Sequence, residues 1–407
     1  MLLTPARIWF GAGLILLAVN LRAAITSTAP LLGQLAAAYQ LSPTGISVLT
    51  TLPILCLGAF AAAAPALAAR TSTDTTVTLA LAVLTAGILL RTIPHPTALY
   101  TGTVVAGAGI AIGNVLLPAV IKQRFPNRVG PLTGLAMMLM AASGAAAAAL
   151  AVPLHQATGW RIALAVWALP SLAAVLLWGP LAARNRTRRL TSPTATPQPA
   201  TRPLTSSPLA WAVSVFLGLV SLVFYALTAW LPEVMQARGH SPAEAGAMLS
   251  GMLLIGIPLG LAVPIAATRM PHQRPLVTAV AATKTIALAG ICFGPPLDWL
   301  WVLLLGAATG SAFPLAMTLL SLRAPDPATA ARLSGMAQAF GYLLAGCGPF
   351  LFGLLHSSTG MWAVPLLAIC ALVVPETLAG MAAARPLHIR LRPPPRHATR
   401  ARRAARR

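Results

Sequence analysis

Arg22 stands near the middle of the first long apolar run, within Asn20-Leu21-Arg22-Ala23-Ala24-Ile25-Thr26. An arginine at the centre of a membrane-spanning helix costs roughly 2.5–3.5 kcal/mol on insertion scales, unless it faces a protein interior or a watery cavity. The rise of ~1.5 Å per helical residue leaves this one well short of the outer surface. Its chemistry is that of an intramembrane site, because a guanidinium offers a planar fork of donors to an anion or an electron-rich polar group. The structural alternative is an arginine that snorkels outward or braces a neighbouring helix. Asn20 and Thr26 place two further polar groups in the same segment.

Groups able to neutralise or relay charge are scarce. The acids are Asp74, Glu233, Glu244, Asp298, Asp326 and Glu376, and all but Glu376 fall in loops or at helix ends. Glu376, after Pro375, is the candidate proton site, but it is expected to stand alone and not to be an obligatory carrier. Lys284, mid-way along the ninth apolar run, is expected to snorkel along its stem. His155 and His356 precede Thr-Gly turns at equivalent positions and read as structural caps. Cys56, Cys292, Cys347 and Cys370 lack metal-ligand spacing and read as buried, inert thiols. No metal site and no cofactor are expected. No phosphate-binding loop, zinc-protease helix or nucleophile elbow is present, so the chain is not expected to be an enzyme.

These residues need a framework, and composition names its solvent. The 407 residues are 57% hydrophobic and 8% charged, with a mean hydropathy of +0.79. Soluble domains carry about 25% charged residues. The net charge of +22 does not mark nucleic-acid binding: the arginines fall in short breaks between apolar runs and in the C-terminal stretch, with no interleaved aromatics.

Apolar runs of spanning length, ~20 residues, occur at 8–30, 45–69, 76–93, 98–121, 131–154 and 160–180, then at 209–231, 243–267, 275–294, 299–321, 332–355 and 361–383. They are continuous and Ala/Leu-rich rather than alternating, which argues for helices. The expected fold is an all-α membrane protein of twelve helices in two pseudo-symmetric six-helix bundles, 1–180 and 209–384, the first run being retained as a transmembrane helix. Residues 181–208, rich in Arg, Thr, Ser and Pro, read as a flexible cytoplasmic linker, and 385–407 as a basic cytoplasmic tail. Linker and tail are expected to lie on anionic membrane lipid. Nearly all Lys and Arg fall on one side of this topology, which puts both termini in the cytoplasm of a cell-membrane protein.

The two halves repeat. A shift of 201 residues places Gly109 on Gly310, Lys122 on Arg323, and Thr133-Gly134 on Ser334-Gly335. The same shift places Leu154-His155 on Leu355-His356 and Thr158-Gly159 on Thr359-Gly360. Internal repeats of this size joined by a polar linker are how many secondary transporters are built, with the substrate site between the halves.

Several stretches carry a closer likeness: Asn20-Leu21-Arg22 with Ser27-Thr28-Ala29-Pro30-Leu31-Leu32, Leu49-Thr50-Thr51-Leu52-Pro53, and the run Gly107 to Pro118. Phe224-Tyr225-Ala226-Leu227-Thr228-Ala229-Trp230-Leu231-Pro232, Phe313-Pro314-Leu315-Ala316 and Met336-Ala337-Gln338 with Gly341-Tyr342-Leu343 complete the set. On these the chain resembles a major facilitator superfamily transporter of the cyanate-porter and nitroimidazole-exporter branch (CynX/NimT type). The resemblance implies a central cavity lined by helices one, four, seven and ten. It further implies that Arg22 binds substrate, with Asn20, Thr26, Asn114, Tyr225, Trp230, Gln338 and Tyr342 as the remaining candidates. Asn114 serves equally as a structural hydrogen bond, Trp230 as an interface anchor, and Gln338 and Tyr342 as packing on one helix face.

Two departures from the branch stand out. Val220, Leu253 and Thr309 replace residues that are commonly glutamine, and the loop between helices two and three keeps only Ala69-Arg70-Thr71-Ser72-Thr73-Asp74 of its usual signature. The expected activity is secondary transport of a small anion or a planar polar organic molecule by alternating access, with proton coupling open and the chain a monomer. A drug or nitroheterocycle exporter is one alternative; a non-transporting receptor or scaffold on the same fold is another. The arginine distribution predicts that a C-terminal reporter active only outside the cytoplasm stays silent; activity there would overturn the orientation.

Overall fold

A computed structural model describes residues 5–191 and 203–389. The described residues form fifteen α-helices, and three short 3-10 turns connect some of them. The first half holds α1 (Pro5–Thr26), α2 (Leu32–Tyr39), α3 (Pro43–Ala61), α4 (Ala63–Arg70), α5 (Thr73–Leu90), α6 (Pro96–Arg124), α7 (Val129–Thr158), α8 (Trp160–Ala165) and α9 (Ala168–Thr191). The second holds α10 (Pro208–Ala237), α11 (Pro242–Arg269), α12 (Arg274–Phe293), α13 (Asp298–Arg323), α14 (Pro327–Thr359) and α15 (Ala363–Ala383). Eleven helical stretches are long and apolar enough to span a membrane, and the bent pair α3–α4 makes the twelfth. The outward faces carry large apolar side chains such as Phe293, Leu176 and Phe350, as hydrocarbon solvent requires. The chain is a multi-pass helical membrane protein.

Local chemistry accounts for the helix ends and breaks. Ser207-Pro208, Ser241-Pro242 and Asp326-Pro327 each pair an N-cap with proline at the first helical position. The cap oxygen accepts a free backbone N–H, and proline has none to waste there. The 46° bend between α3 and α4 precedes Pro65, whose missing N–H leaves the Ala61 carbonyl without its helical donor. Pro170 similarly follows the break between α8 and α9.

The described part of the expected linker is more ordered than its composition suggests. Helix α9 continues through Thr191, and Leu204–Ser206 forms a 3-10 turn with Leu204 buried. The middle of the linker, 192–202, lies outside the described residues, as does the tail from 390 onward. At the start of the tail, Ile389 is buried and its N–H donates to the Arg323 carbonyl at 2.9 Å.

Four side-chain readings change. Lys284 does not snorkel: it is fully buried on α12, and its ammonium donates to both carboxylate oxygens of Glu376 on α15 at 2.6 and 2.8 Å. Glu376 therefore does not stand alone. The sequence hid this because the partners lie 92 residues apart on different helices. Of the cysteines, only Cys56 is buried; Cys347 is exposed on α14. His155 and His356 cap through their backbone carbonyls, which accept from Gly159 and Gly360 at 2.8 Å. The His356 ring instead stacks on Trp362, with centroids 3.6 Å apart.

The halves meet at the end of the bundle that holds Pro5 and Ile389. Gly134 on α7 lies so close to Leu261 on α11 that a Cβ would come within 2.6 Å of its carbonyl oxygen. Its repeat equivalent, Gly335 on α14, lies against Pro65 and Ala61 of the bent pair, with 2.6 Å to the proline ring. The same repeat position thus makes both seams. Lys122 at the end of α6 donates across the interface to the Ser321 carbonyl at 2.8 Å and to the Ala324 carbonyl. Asp74, at the end of what remains of the loop signature, pairs with Arg124, whose guanidinium also covers the Phe10 ring at 4.0 Å.

At the opposite end, Arg238 Nε donates to Asp298 at 2.7 Å. Both nitrogens of the His240 ring face carboxylates, Asp298 at 2.8 Å and Glu244 at 3.0 Å. Only the doubly protonated ring satisfies both, so these hydrogen bonds raise the His240 pKa above its usual value.

Two outcomes follow from these pairs. Removing one member of a buried ion pair costs roughly 3–5 kcal/mol, whereas replacing both with apolar groups is often neutral. Lys284→Met should lower the melting temperature in detergent, and Lys284→Met/Glu376→Leu should recover it; an unchanged single variant would show that the pair contributes nothing. His240, with a raised folded-state pKa, stabilises fully below ~6.5, the ordinary histidine value. That contribution is lost as pH rises through the folded-state value. The melting-temperature gap between parent and His240→Gln should therefore be wide at acid pH and close under alkaline conditions.

Candidate functional site

Between the halves lies a cavity of about 300 Å³, at the lower end of the ~300–1,000 Å³ common for small-molecule sites. Its walls come from α1, α7, α10, α11 and α13. Met137, near the closed end, is buried, while Ala145 and Leu254, farther along α7 and α11, are exposed. The cavity therefore opens away from the seam formed by Gly134, Gly335 and Lys122.

Arg22 enters from α1, half-buried, and no described residue makes a hydrogen bond or ion pair with its guanidinium. Gly144 on α7 makes room for it, since a Cβ there would approach Arg22 Cγ to 2.8 Å. Thr26, one turn on, also lines the cavity and donates back to the Arg22 carbonyl at 3.2 Å. Across the space, α10 presents Ser221, Phe224 and Tyr225. The Ser221 hydroxyl is buried without a partner, and the Phe224 and Tyr225 rings meet edge to face with centroids 5.5 Å apart. Met137, Met140, Leu253, Ile257 and Phe313 make most of the remaining wall apolar. Such a site can hold a charge-seeking group at one side and a flat apolar body against aromatic rings and thioethers.

The eight sequence candidates divide. Arg22, Thr26 and Tyr225 share the cavity. Tyr342, on α14, is buried within electrostatic range of Tyr225 and Arg22 but is not part of the wall. Asn114 and Gln338 are brought together in the seam between α6 and α14: the Gln338 amide donates to the Asn114 carbonyl at 3.2 Å and to Ser334 Oγ at 2.8 Å. The Gln338 amide oxygen remains buried and unpartnered.

Asn20 points away from the cavity, donating to the Pro170 carbonyl at 3.0 Å and the Leu16 carbonyl at 2.7 Å. Trp230 is likewise engaged elsewhere, donating to the Pro349 carbonyl at 2.8 Å and stacking on Phe352. Glu376 lies in the ion pair with Lys284 rather than on the cavity wall.

The expected wall from helix four does not form. The fifth and eighth spans, α7 and α11, take that place. Of their contributors, Leu253 stood out only as a replaced glutamine, and Gly144, Met137, Met140 and Ile257 were not read from sequence, because glycine and apolar residues in a membrane helix carry no sign of which face they serve. Phe313 and Thr309 do fall in stretches that stood out on other grounds, and both line the cavity.

Residues 8–349 match the family model of the Major Facilitator Superfamily. The chain is 38% identical to the 2-nitroimidazole transporter of Escherichia coli (strain K12), over 94% of this chain and 97% of that protein. It is 30% identical to the cyanate transport protein CynX of the same organism, over 89% of this chain and 94% of that protein. Among solved structures, the proton:xylose symporter XylE is similar in fold, with a TM-score of 0.74 at 14% identity, over 92% of this chain and 94% of that chain. With the twelve-span framework and the cavity between its halves, these similarities show that the chain belongs to the major facilitator superfamily, in the branch of the nitroimidazole and cyanate transporters.

Proposed function

We propose that the chain is a secondary transporter of the cell membrane that moves a small anion, or a planar polar molecule with an electron-rich group, by alternating access. One observation carries this: Arg22 stands in the cavity between the halves with no carboxylate and no hydrogen-bond partner among the described residues. A guanidinium kept at that cost offers its donors to a ligand. The apolar and aromatic remainder of the wall favours a flat ligand with one polar end. A nitroheterocycle meets that description, and so does a small carboxylate; the relatives' named substrates, 2-nitroimidazole and cyanate, are the first probes.

The closed end carries most of the arginines and is read as cytoplasmic, so the cavity faces outward in this state. The basic stretches flanking the bundle suit anionic lipid, and a monomer suffices, because the site is built within one chain. Lys284 holds Glu376 out of a simple proton relay, so coupling to protons is not assigned to that carboxylate. A receptor or scaffold on the same fold would bind these ligands without counterflow in proteoliposomes.

The test is ligand-induced thermal stabilisation of purified protein, since binding to the native state raises its stability. Arg22→Lys keeps the charge but loses the fork, and should weaken binding by more than tenfold, ~1.4 kcal/mol. Arg22→Gln should abolish recognition and leave a folded protein. If both variants respond to the probe as the parent does, Arg22 is structural and the reading fails.

A further inference from the structure

On α7, Gly130, Gly134, Met137, Ala141, Ala145 and Ala148 recur every three or four residues and so share one face. On α11, Thr268, Leu261 and Leu254 recur every seven and share another. Near the closed end these faces touch. Gly130 lies against Thr268, Gly134 against Leu261, and a Cβ on Gly260 would lie 3.8 Å from Met137 Cβ. Farther out they part: Ala141, Ala145, Ala148 and Leu254 all line the main cavity, Ala145 is exposed, and Leu254 is 57% exposed. The space between the halves therefore runs out between two neighbouring helices as a slit. Of the described helices, only α13 packs closely on both α7 and α11, and α13 is itself a cavity wall. No described helix closes the slit from the bilayer side.

The opposite side of the bundle stays shut. Gly346, the repeat equivalent of Ala145, still faces α3, and a Cβ there would lie 3.7 Å from Leu55 Cδ2. A Cβ on Gly58 of α3 would lie 3.1 Å from the backbone nitrogen of Leu343. Neither α3 nor α14 contributes to the wall of the main cavity. The opening is thus one-sided, and its two lips, Ala141, Ala145 and Ala148 against Leu253, Leu254 and Ile257, are apolar throughout. Such a gap gives a hydrated solute nothing in place of its lost water, whereas a hydrocarbon chain loses nothing there. Arg22 lies beside it. Gly144, where a Cβ would meet Arg22 Cγ at 2.8 Å, directly precedes Ala145, which is turned ~100° around α7. A head group on the guanidinium is therefore within one helix diameter, ~10–12 Å, of the slit.

We propose that the slit between α7 and α11 is a lateral opening to the lipid leaflet on the cavity's open side, and that it takes the apolar tail of an amphiphile whose head meets Arg22. This rests on the reading of Arg22 given above and extends it from small ligands to ones that arrive from the bilayer. Two measurements separate the claims. The first uses no ligand. A nitroxide is attached at Ala145→Cys in the full-length chain, with the four native cysteines replaced by alanine, in phosphatidylcholine liposomes. Oxygen, which concentrates in hydrocarbon, should relax this label more than a water-soluble nickel chelate does; the reverse order makes the slit a watery surface and overturns the proposal. The second compares benzoate with 4-hexylbenzoate, whose tail must leave the cavity, by ligand-induced thermal stabilisation in nanodiscs. The parent should respond to 4-hexylbenzoate at a concentration at least tenfold lower than to benzoate. Ala145→Trp and Leu254→Trp fill the slit from either lip, and each should erase that preference; a preference that survives both overturns the tail assignment. A parent that responds to neither compound counts against Arg22 and takes the amphiphile with it. One that responds to both equally leaves Arg22 standing and overturns the tail.

Discussion

Positive charge inside an apolar framework must find a partner, and this chain has six carboxylates for 28 lysines and arginines. How each buried cation is satisfied largely decides what each part of the molecule does. Lys284 takes Glu376, Arg124 takes Asp74 and Arg238 takes Asp298, which spends the three buried acids. Lys122 is met by carbonyls at the end of α13, where a helix presents unpaired acceptors and the negative end of its dipole. Arg91 meets the end of α1 in the same way but incompletely. Arg22 meets no hydrogen-bond or ion-pair partner among the described residues. Along this series the protein's own compensation falls away, and what it leaves unmet at Arg22 is what a ligand can supply.

The same shortage shapes the seam. An interface held by ion pairs would strand charges in low dielectric when it parted. Here the contact is made by glycines that let backbones touch, at Gly134 and Gly335, and by an ammonium on carbonyls. Hydrogen bonds to charged groups are worth roughly 1.5–3 kcal/mol each, enough to hold the closed end and small enough to exchange for water. The internal repeat matters physically: because Gly134 and Gly335 are equivalent positions, one local solution closes both sides of the bundle.

Much of the framework was legible because membrane solvent imposes a coarse, long-range pattern. Continuous apolar runs and the repeat offset both survive without knowledge of packing. Arg22 was legible for the same reason, since cost alone marks it. Pairings across the sequence were not. Lys284 and Glu376 looked like separate anomalies, and only the packing of α12 on α15 joins them. Asn20 was misplaced because a polar residue in a membrane helix has two remedies, a ligand or a backbone carbonyl of a neighbouring helix. Pro170 supplied the second. Arg91 went unremarked because a helix-end arginine near an interface is ordinary until its burial is known.

The two halves contribute unlike things to the main cavity. The first supplies the guanidinium, and the second supplies Phe224, Tyr225, Phe313 and the aliphatic face of α11. Two of the three glutamine replacements, Leu253 and Thr309, fall on the second wall, and the Thr309 hydroxyl is spent on its own helix at 2.8 Å; Val220 is buried beside it. Amides there would have given a ligand polar contacts on both sides. With hydrocarbon in their place, the second half recognises shape more than polarity, and Ser221 and Tyr225 are the polar groups left to α10. A ligand bound this way is held by its head from one half and by its body from the other. It follows that changes in the second wall should alter which bodies fit, while the requirement for an electron-rich head stays with Arg22.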